Sequence, residues 1–208
     1  MLLVELEAAI DPVINERAIL LASRIRARQA RGVRDVAPGY CTVGVHFDPL
    51  QTDLAALEHA IEVEFSAIEA LDAVADRPVT EIPVSYGGAG GPDLAGVAQF
   101  AGCSEDDVIA RHSAPTYRVY MLGFVPGFCY MGRVDTSIAA PRHRVPRERV
   151  PAGSVGIAGG QTGVYPVDSP GGWQLIGRTE TVMFHADRAR PSLLAPGDLV
   201  RFVAVPRQ

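Results

Sequence analysis

The sequence predicts two dissimilar domains. Residues 1–77 read as an α+β domain, two helices on one face of a small antiparallel sheet, and residues 78–208 as an all-β domain, a barrel or sandwich. Two patterns carry this. In the first part, two apolar sets at helical spacing alternate with short runs of period two, in the order strand, helix, strand, strand, helix. After Pro115 a series of short apolar segments follows, split by Gly and Pro, with no further helical period. A chain of 208 residues, 48% hydrophobic, is long enough to bury one large core or two modest ones.

Taken in order, LLVEL at Leu2 to Leu6 suits a short strand. Asp11 before Pro12 marks a helix start: a capping oxygen, then a residue whose missing N–H is no loss at the first helical position. Ile14, Ala18, Leu21, Ala22 and Ile25 form one apolar face, so this helix should run to about Arg31 and stop at Gly32. VRDVAPGYCTVGVHF alternates on both sides of Pro38-Gly39, which predicts a hairpin. From Asp53, the positions Leu54, Leu57, Ile61, Phe65, Ile68 and Leu71 mark a second helix that ends before Pro78.

EIPVSYGGAGGPD reads as a strand and a glycine loop, Gly87 to Gly91, expected to be a flexible surface turn. Two short helices follow, in PDLAGVAQFAGCSEDDVIARHSAP. Their spacing resembles a helix-turn-helix, but Glu105, Asp106 and Asp107 would meet a polyanion with negative charge, which excludes a DNA reader. Ser104 and Asp107 instead form a capping box. The expected strands beyond are TYRVYMLGFVPGF, SVGIAGG, GVYPV, WQLIGRT, TVMFHA and DLVRFVAV.

Composition narrows the chemistry. All 19 basic residues are arginine. Without lysine there is no Schiff base, no P-loop lysine and no biotinyl-lysine on this chain, and any anion must be held by arginine or backbone N–H groups. The net charge of -5 argues against a nucleic-acid surface. No apolar run is long enough for a membrane span and the start lacks a signal-peptide pattern, so the expectation is a cytoplasmic protein. Cys41, Cys103 and Cys129 read as free thiols, and the five histidines show no metal-ligand spacing. The serine-elbow, zincin and dinucleotide signatures are all missing.

What remains lies in three stretches, RHSAPTYRVYMLGFVPGFCYMG, APRHRVPRERVPAGS and VPAGSVGIAGGQTGVYPVDSPGGWQLIGRT. They gather Tyr117, Tyr120, Phe124, Phe128, Tyr130, Tyr165 and Trp173 without a core period, together with His112, Arg142, Arg147, Gln161 and Arg178. Pro126, Pro146, Pro151, Pro166 and Pro170 stiffen loops that the glycines shape. The last stretch carries only Asp168 and Arg178 as formal charges. Rigid, neutral loops on a β scaffold suit a binding cleft or a barrel corner. His112, closing the second short helix, reads equally as an acid/base group or as a C-terminal cap.

HSAPTYRVYMLGFVPGFCYMG and PRHRVPRERVPAGSVGIAGGQTGVYPVDSPGGWQLIGRT closely resemble the allophanate hydrolase subunit 1 family, whose members are also described as the B component of 5-oxoprolinase and as Kip-type sporulation kinase inhibitors. The match runs in order over most of Glu81 to Phe202. LLVEL resembles the family's first strand, although the glycine-aspartate segment expected just before it is absent, which implies a shortened start.

The resemblance implies a cyclophilin-like barrel after the α+β domain. It also implies a companion cyclophilin-like subunit, of the allophanate hydrolase subunit 2 type or the type of the 5-oxoprolinase C component. The cleft would be built between the two, with a third subunit in the complex. On that basis Gln161, Arg178 and His112 are the catalytic candidates. Tyr117, Phe124, Pro126, Phe128, Tyr130, Arg142, Arg147 and Tyr165 are candidates for substrate binding. Backbone N–H groups at Gly159, Gly160 and Gly163 are expected to meet a small carboxylate, amide or phosphate. Pro170, Gly171, Gly172 and Trp173 are expected at the partner interface.

Three functions follow from the resemblance. The leading one is a subunit, inactive alone, of an ATP-dependent 5-oxoprolinase that hydrolyses the lactam to glutamate, with ATP held by the complex rather than by this chain. The second is half of a urea-type carboxyltransferase served by biotin on another protein. The third is a non-enzymatic inhibitor of a histidine kinase.

Overall fold

The computed structural model describes residues 1–68, 70 and 73–206. The chain divides into two compact units, Met1–Asp76 and Arg77–Gln208.

The first unit runs β1 (Leu2–Glu5), α1 (Pro12–Ala27), β2 (Val33–Pro38), β3 (Thr42–Phe47) and α2 (Leu54–Ser66). Its sheet is antiparallel in the order β1-β3-β2. Asp11 caps α1 as its position before Pro12 requires, accepting from the N–H of Val13 at 2.8 Å and of Ile14 at 3.3 Å. The helix ends at Ala27, short of the expected Arg31. The left-handed residue that turns the chain away is Gln29, at φ 47°, and Gly32 serves the next connection, its carbonyl accepting from Asp48 N at 2.8 Å. Asp53 caps α2 through Ala56 N at 3.1 Å. Ala18, Leu21, Ala22 and Ile25 of α1 meet Leu57 and Ile61 of α2 over Val36, Val43 and Val45 of the sheet. Ile68 is buried just beyond α2, Leu54 is exposed, and Leu71 lies outside the described residues.

In the second unit β4 (Val79–Tyr86) leads to helices α3 (Leu94–Ala101) and α4 (Glu105–Ser113). The capping box at Ser104 and Asp107 is present in both directions. Strands β5 (Tyr117–Leu122), β6 (Cys129–Gly132), β7 (Arg147–Val150), β8 (Ser154–Ala158), β9 (Gln161–Val164), β10 (Ser169–Gly171), β11 (Gln174–Arg178) and β12 (Leu199–Val205) follow. Seven strands close a barrel in the order β11-β4-β12-β5-β6-β9-β8, with β8 pairing back onto β11.

The unit's first and last strands, β4 and β12, lie parallel from Val79↔Leu199 to Ser85↔Val205. Alternation along β4 turns Ile82, Val84 and Tyr86 inward, where Val119, Met131, Ile157, Ile176 and Phe202 join one core. Sequence reading missed β6, β7 and β10, which are three or four residues long. Conversely, TVMFHA contributes a single bridge, Phe184↔Ser192, and no strand.

The glycine loop after β4 corrects the expectation of a flexible surface turn. It folds tightly onto β11: a Cβ at Gly91 would stand 2.2 Å from the Ile176 carbonyl oxygen, and one at Gly90 would stand 2.9 Å from the Arg178 Cβ. Only glycine permits that approach.

Candidate functional site

Phe128, buried at the end of the loop between β5 and β6, centres a cluster of rings. Its ring centroid lies 4.9 Å from Tyr130, 5.2 Å from Tyr165, 5.3 Å from Trp173 and 5.7 Å from Phe124, all edge-to-face. Each such pair contributes about 0.5–1.5 kcal/mol beyond area burial. Gly163 makes room behind them: a Cβ there would meet the Cys129 carbonyl at 2.6 Å and the Trp173 ring at 3.5 Å. Phe124 is held at φ 68°, a conformation costly to a side chain and more often kept where a site requires it.

These rings, with Arg142, Pro146, Pro170, Gly171 and Gly172, line a pocket of about 270 Å³. Residues expected to bind substrate and residues expected to meet a partner thus occupy one concavity. Arg142 has no carboxylate partner among the described residues. Burial raises the phenols of Tyr130 and Tyr165, and the Arg142 charge opposes the rise at both. The pocket is therefore apolar, with protonated phenols and the Arg142 guanidinium, which has no carboxylate partner among the described residues.

Behind it stands a residue that sequence reading did not single out. Asp93 occupies the N-cap position of α3, yet its side chain makes no capping bond. The carboxylate instead accepts from Arg147 Nη2 at 2.6 Å and from Leu175 N at 2.7 Å. His143 Nε2 approaches it at 3.3 Å without hydrogen-bond alignment. Arg147 Nη1 also donates to the Trp173 carbonyl at 3.4 Å, and His143 N donates to the Gly172 carbonyl at 2.7 Å. Asp93 thereby ties together the chain segments that carry Arg142, Arg147 and Trp173. Arg147, expected at the substrate, acts here as a strut for the wall. No local pattern announces this, since Asp93 and Arg147 are 54 residues apart.

Other expected residues lie elsewhere. Arg178 ends β11, five positions after Trp173, which precedes that strand, and lines a different cavity, of about 470 Å³, with Pro83, Ser85, Gly87, Gly88, Ala89, Gly90, Glu180 and Val205. Gln161, Trp173 and Arg178 therefore do not line one cavity. Gln161 opens β9, paired with Ala158 and Gly132, and lines neither cavity. The glycine cradle is also corrected: Gly159 N–H donates to the Ala140 carbonyl at 2.8 Å, and Gly163 is a ladder residue opposite Gly156. Pro126 is exposed in the loop between Phe124 and Phe128.

His112 and Tyr117 are corrected from site residues to core residues. Both are 0% exposed. The His112 ring nitrogens meet Tyr86 Oη at 2.7 Å and Thr162 Oγ1 at 2.8 Å, and Tyr117 donates to the His112 carbonyl at 2.8 Å. Burial pushes the imidazole down to about 3, which removes it from acid/base work near neutrality.

An α+β unit joined to a closed barrel unit is a fold also found within the Kluyveromyces lactis urea carboxylase, which superposes with a TM-score of 0.74 at 22% identity, over 98% of this chain and 21% of that one. The family model described as carboxyltransferase domain, subdomain C and D, matches residues 1–194, and the chain belongs to this family.

Among curated proteins it is 45% identical over 200 residues to the 5-oxoprolinase B component of Escherichia coli O157:H7, covering 96% of this chain and 89% of that one. It is 39% identical over 206 residues to the 5-oxoprolinase B component of Bacillus subtilis (strain 168), covering 94% and 85%. Among solved structures, TTHA0988 matches with a TM-score of 0.86 at 36% identity over 100% of this chain, which spans 40% of the TTHA0988 chain.

Proposed function

We propose that this chain is the B component of a 5-oxoprolinase, a complex that opens the lactam of 5-oxoproline to glutamate with consumption of ATP, and that it is inactive alone. The observation that carries this reading is the 45% identity to the Escherichia coli O157:H7 protein over 200 residues, reaching across both units.

The aromatic pocket suits one part of the task. Its rings can cover the CH2 faces of a small lactam, and Arg142 can hold the carboxylate with a charge-assisted hydrogen bond. The Tyr130 and Tyr165 phenols, kept protonated by burial, can donate toward a polarised lactam oxygen. Activation of so stable a carbonyl requires phosphoryl transfer, and a chain without lysine supports assigning ATP to the rest of the complex. An open aromatic pocket, with Phe124 59% exposed at its rim, supports completion by a companion cyclophilin-like subunit, with a third subunit in the assembly.

The family's description favours one other reading, half of a carboxyltransferase. Biotin would then have to arrive on another protein.

The test is reconstitution: this chain is co-expressed with its companion subunits, and ATP-dependent glutamate release from 5-oxoproline is measured. Turnover by the complex and none by this chain alone is expected. An assembled complex that turns over no 5-oxoproline would overturn the reading.

A further inference from the structure

Arg178 and Glu180 stand beside the glycine loop with Thr179 buried between them. Extended chain sends residues i and i+2 to the same side. A guanidinium and a carboxylate therefore border the same 470 Å³ cavity. Opposite charges so placed ordinarily pair, yet neither makes an ion pair or side-chain hydrogen bond among the described residues.

The cavity floor is bare backbone at Gly87, Gly88 and Gly90, and nothing lies within 4 Å of a Cβ position at Gly88. Gly90 and Gly91 hold that floor close against β11, so the space is built by the fold. Its apolar wall is Pro83, Ala89 and Val205, and Ser85 adds a hydroxyl.

A simple anion fits this poorly. It would meet one guanidinium but also the Glu180 carboxylate, and Asp168 is close enough to feel the Arg178 charge. A ligand carrying both signs fits both walls. We propose that this cavity binds a free α-amino acid, its carboxylate on Arg178, its ammonium on Glu180 and its side chain along Pro83 and Val205. The inference stands apart from the aromatic pocket and from the lactam reading. Glutamate, the acid that reading would release, is nevertheless an α-amino acid and so the first probe.

The test is an amide NMR titration of the full-length chain with L-glutamate and L-alanine, set against glutarate, which lacks the ammonium, and butylamine, which lacks the carboxylate. Saturable shifts at the Gly88, Ala89 and Gly90 amides are expected with the amino acids. Glutarate and butylamine should bind at least about tenfold more weakly, and Arg178→Gln and Glu180→Gln should each weaken amino-acid binding by about tenfold. Both side chains are exposed, so the variants should keep the wild-type melting temperature. Absence of saturable shifts with either amino acid overturns the inference, as does equal binding of glutarate or indifference to both substitutions. Lactam turnover by the assembled complex is scored separately: turnover without amino-acid binding removes only this inference, and binding without turnover removes only the lactam reading.

Discussion

His112 donates from Nε2 to the Thr162 hydroxyl at 2.8 Å, a direction fixed because that hydroxyl gives its own proton to the Gly156 carbonyl at 2.9 Å. Nδ1 is then the acceptor for Tyr86 Oη at 2.7 Å, and the ring is neutral with both nitrogens used. The network links α4 to β4 and β9 inside the barrel unit. His112→Ala leaves the hydroxyls of Tyr86 and Thr162 without their ring partner and opens a cavity. A loss of about 3 kcal/mol is expected, read as a lower urea midpoint.

The same burial makes a prediction about acid. An imidazole at about 3 in the folded chain and 6.5 in the unfolded one binds fewer protons when folded. Its contribution is complete above pH 6.5 and is lost as pH falls toward 3. Carboxylates held low, such as Glu64 between Arg24 and Arg28, act in the same direction, so the wild type is compared with His112→Gln, which cannot protonate. The stability difference between the two should shrink as pH falls from 6.5 to 3. A constant difference would count against a neutral buried His112.

Trp173 is the single tryptophan of the chain, so its fluorescence reports on the aromatic pocket alone. Asp93→Ala removes the acceptor shared by Arg147 and Leu175 N. A red-shifted emission, easier acrylamide quenching and about 2 kcal/mol of lost stability are expected. An unchanged spectrum would show that Asp93 does not hold the wall.

Trp173→Ala should weaken the companion subunit's affinity by about 2 kcal/mol, some thirtyfold in Kd, as removal of an aromatic interface anchor does. Titration calorimetry with the companion subunit measures this. Undiminished affinity would place the interface elsewhere.

Gly91→Ala should cost about 2 kcal/mol through the clash with the Ile176 carbonyl, visible as a lower melting temperature. Gly96→Ala, where nothing lies within 4 Å, is the control that should not.

What was legible in the sequence was local. Asp11 with Pro12, and Ser104 with Asp107, specify helix starts within a few residues, and the structure makes those bonds. The hairpin around Pro38-Gly39 is local in the same way. The aromatic pocket was legible as composition, because rings gathered between prolines and glycines have no core period to satisfy. Its geometry was not. Asp93 looks like an ordinary capping residue until Arg147 arrives from β7, and Arg178, at the end of β11, and Trp173, just before its start, do not share a cavity. His112 carried two readings because a helix-closing histidine has the same neighbours in sequence whether it faces solvent or, as here, Tyr86 and Thr162.

The most direct test of the aromatic pocket as the lactam site is the steady-state kinetics of the assembled complex carrying Arg142→Ala. With the carboxylate's partner removed and assembly intact, KM for 5-oxoproline should rise by about tenfold or more while KM for ATP stays unchanged. Wild-type kinetics for both substrates would contradict the account.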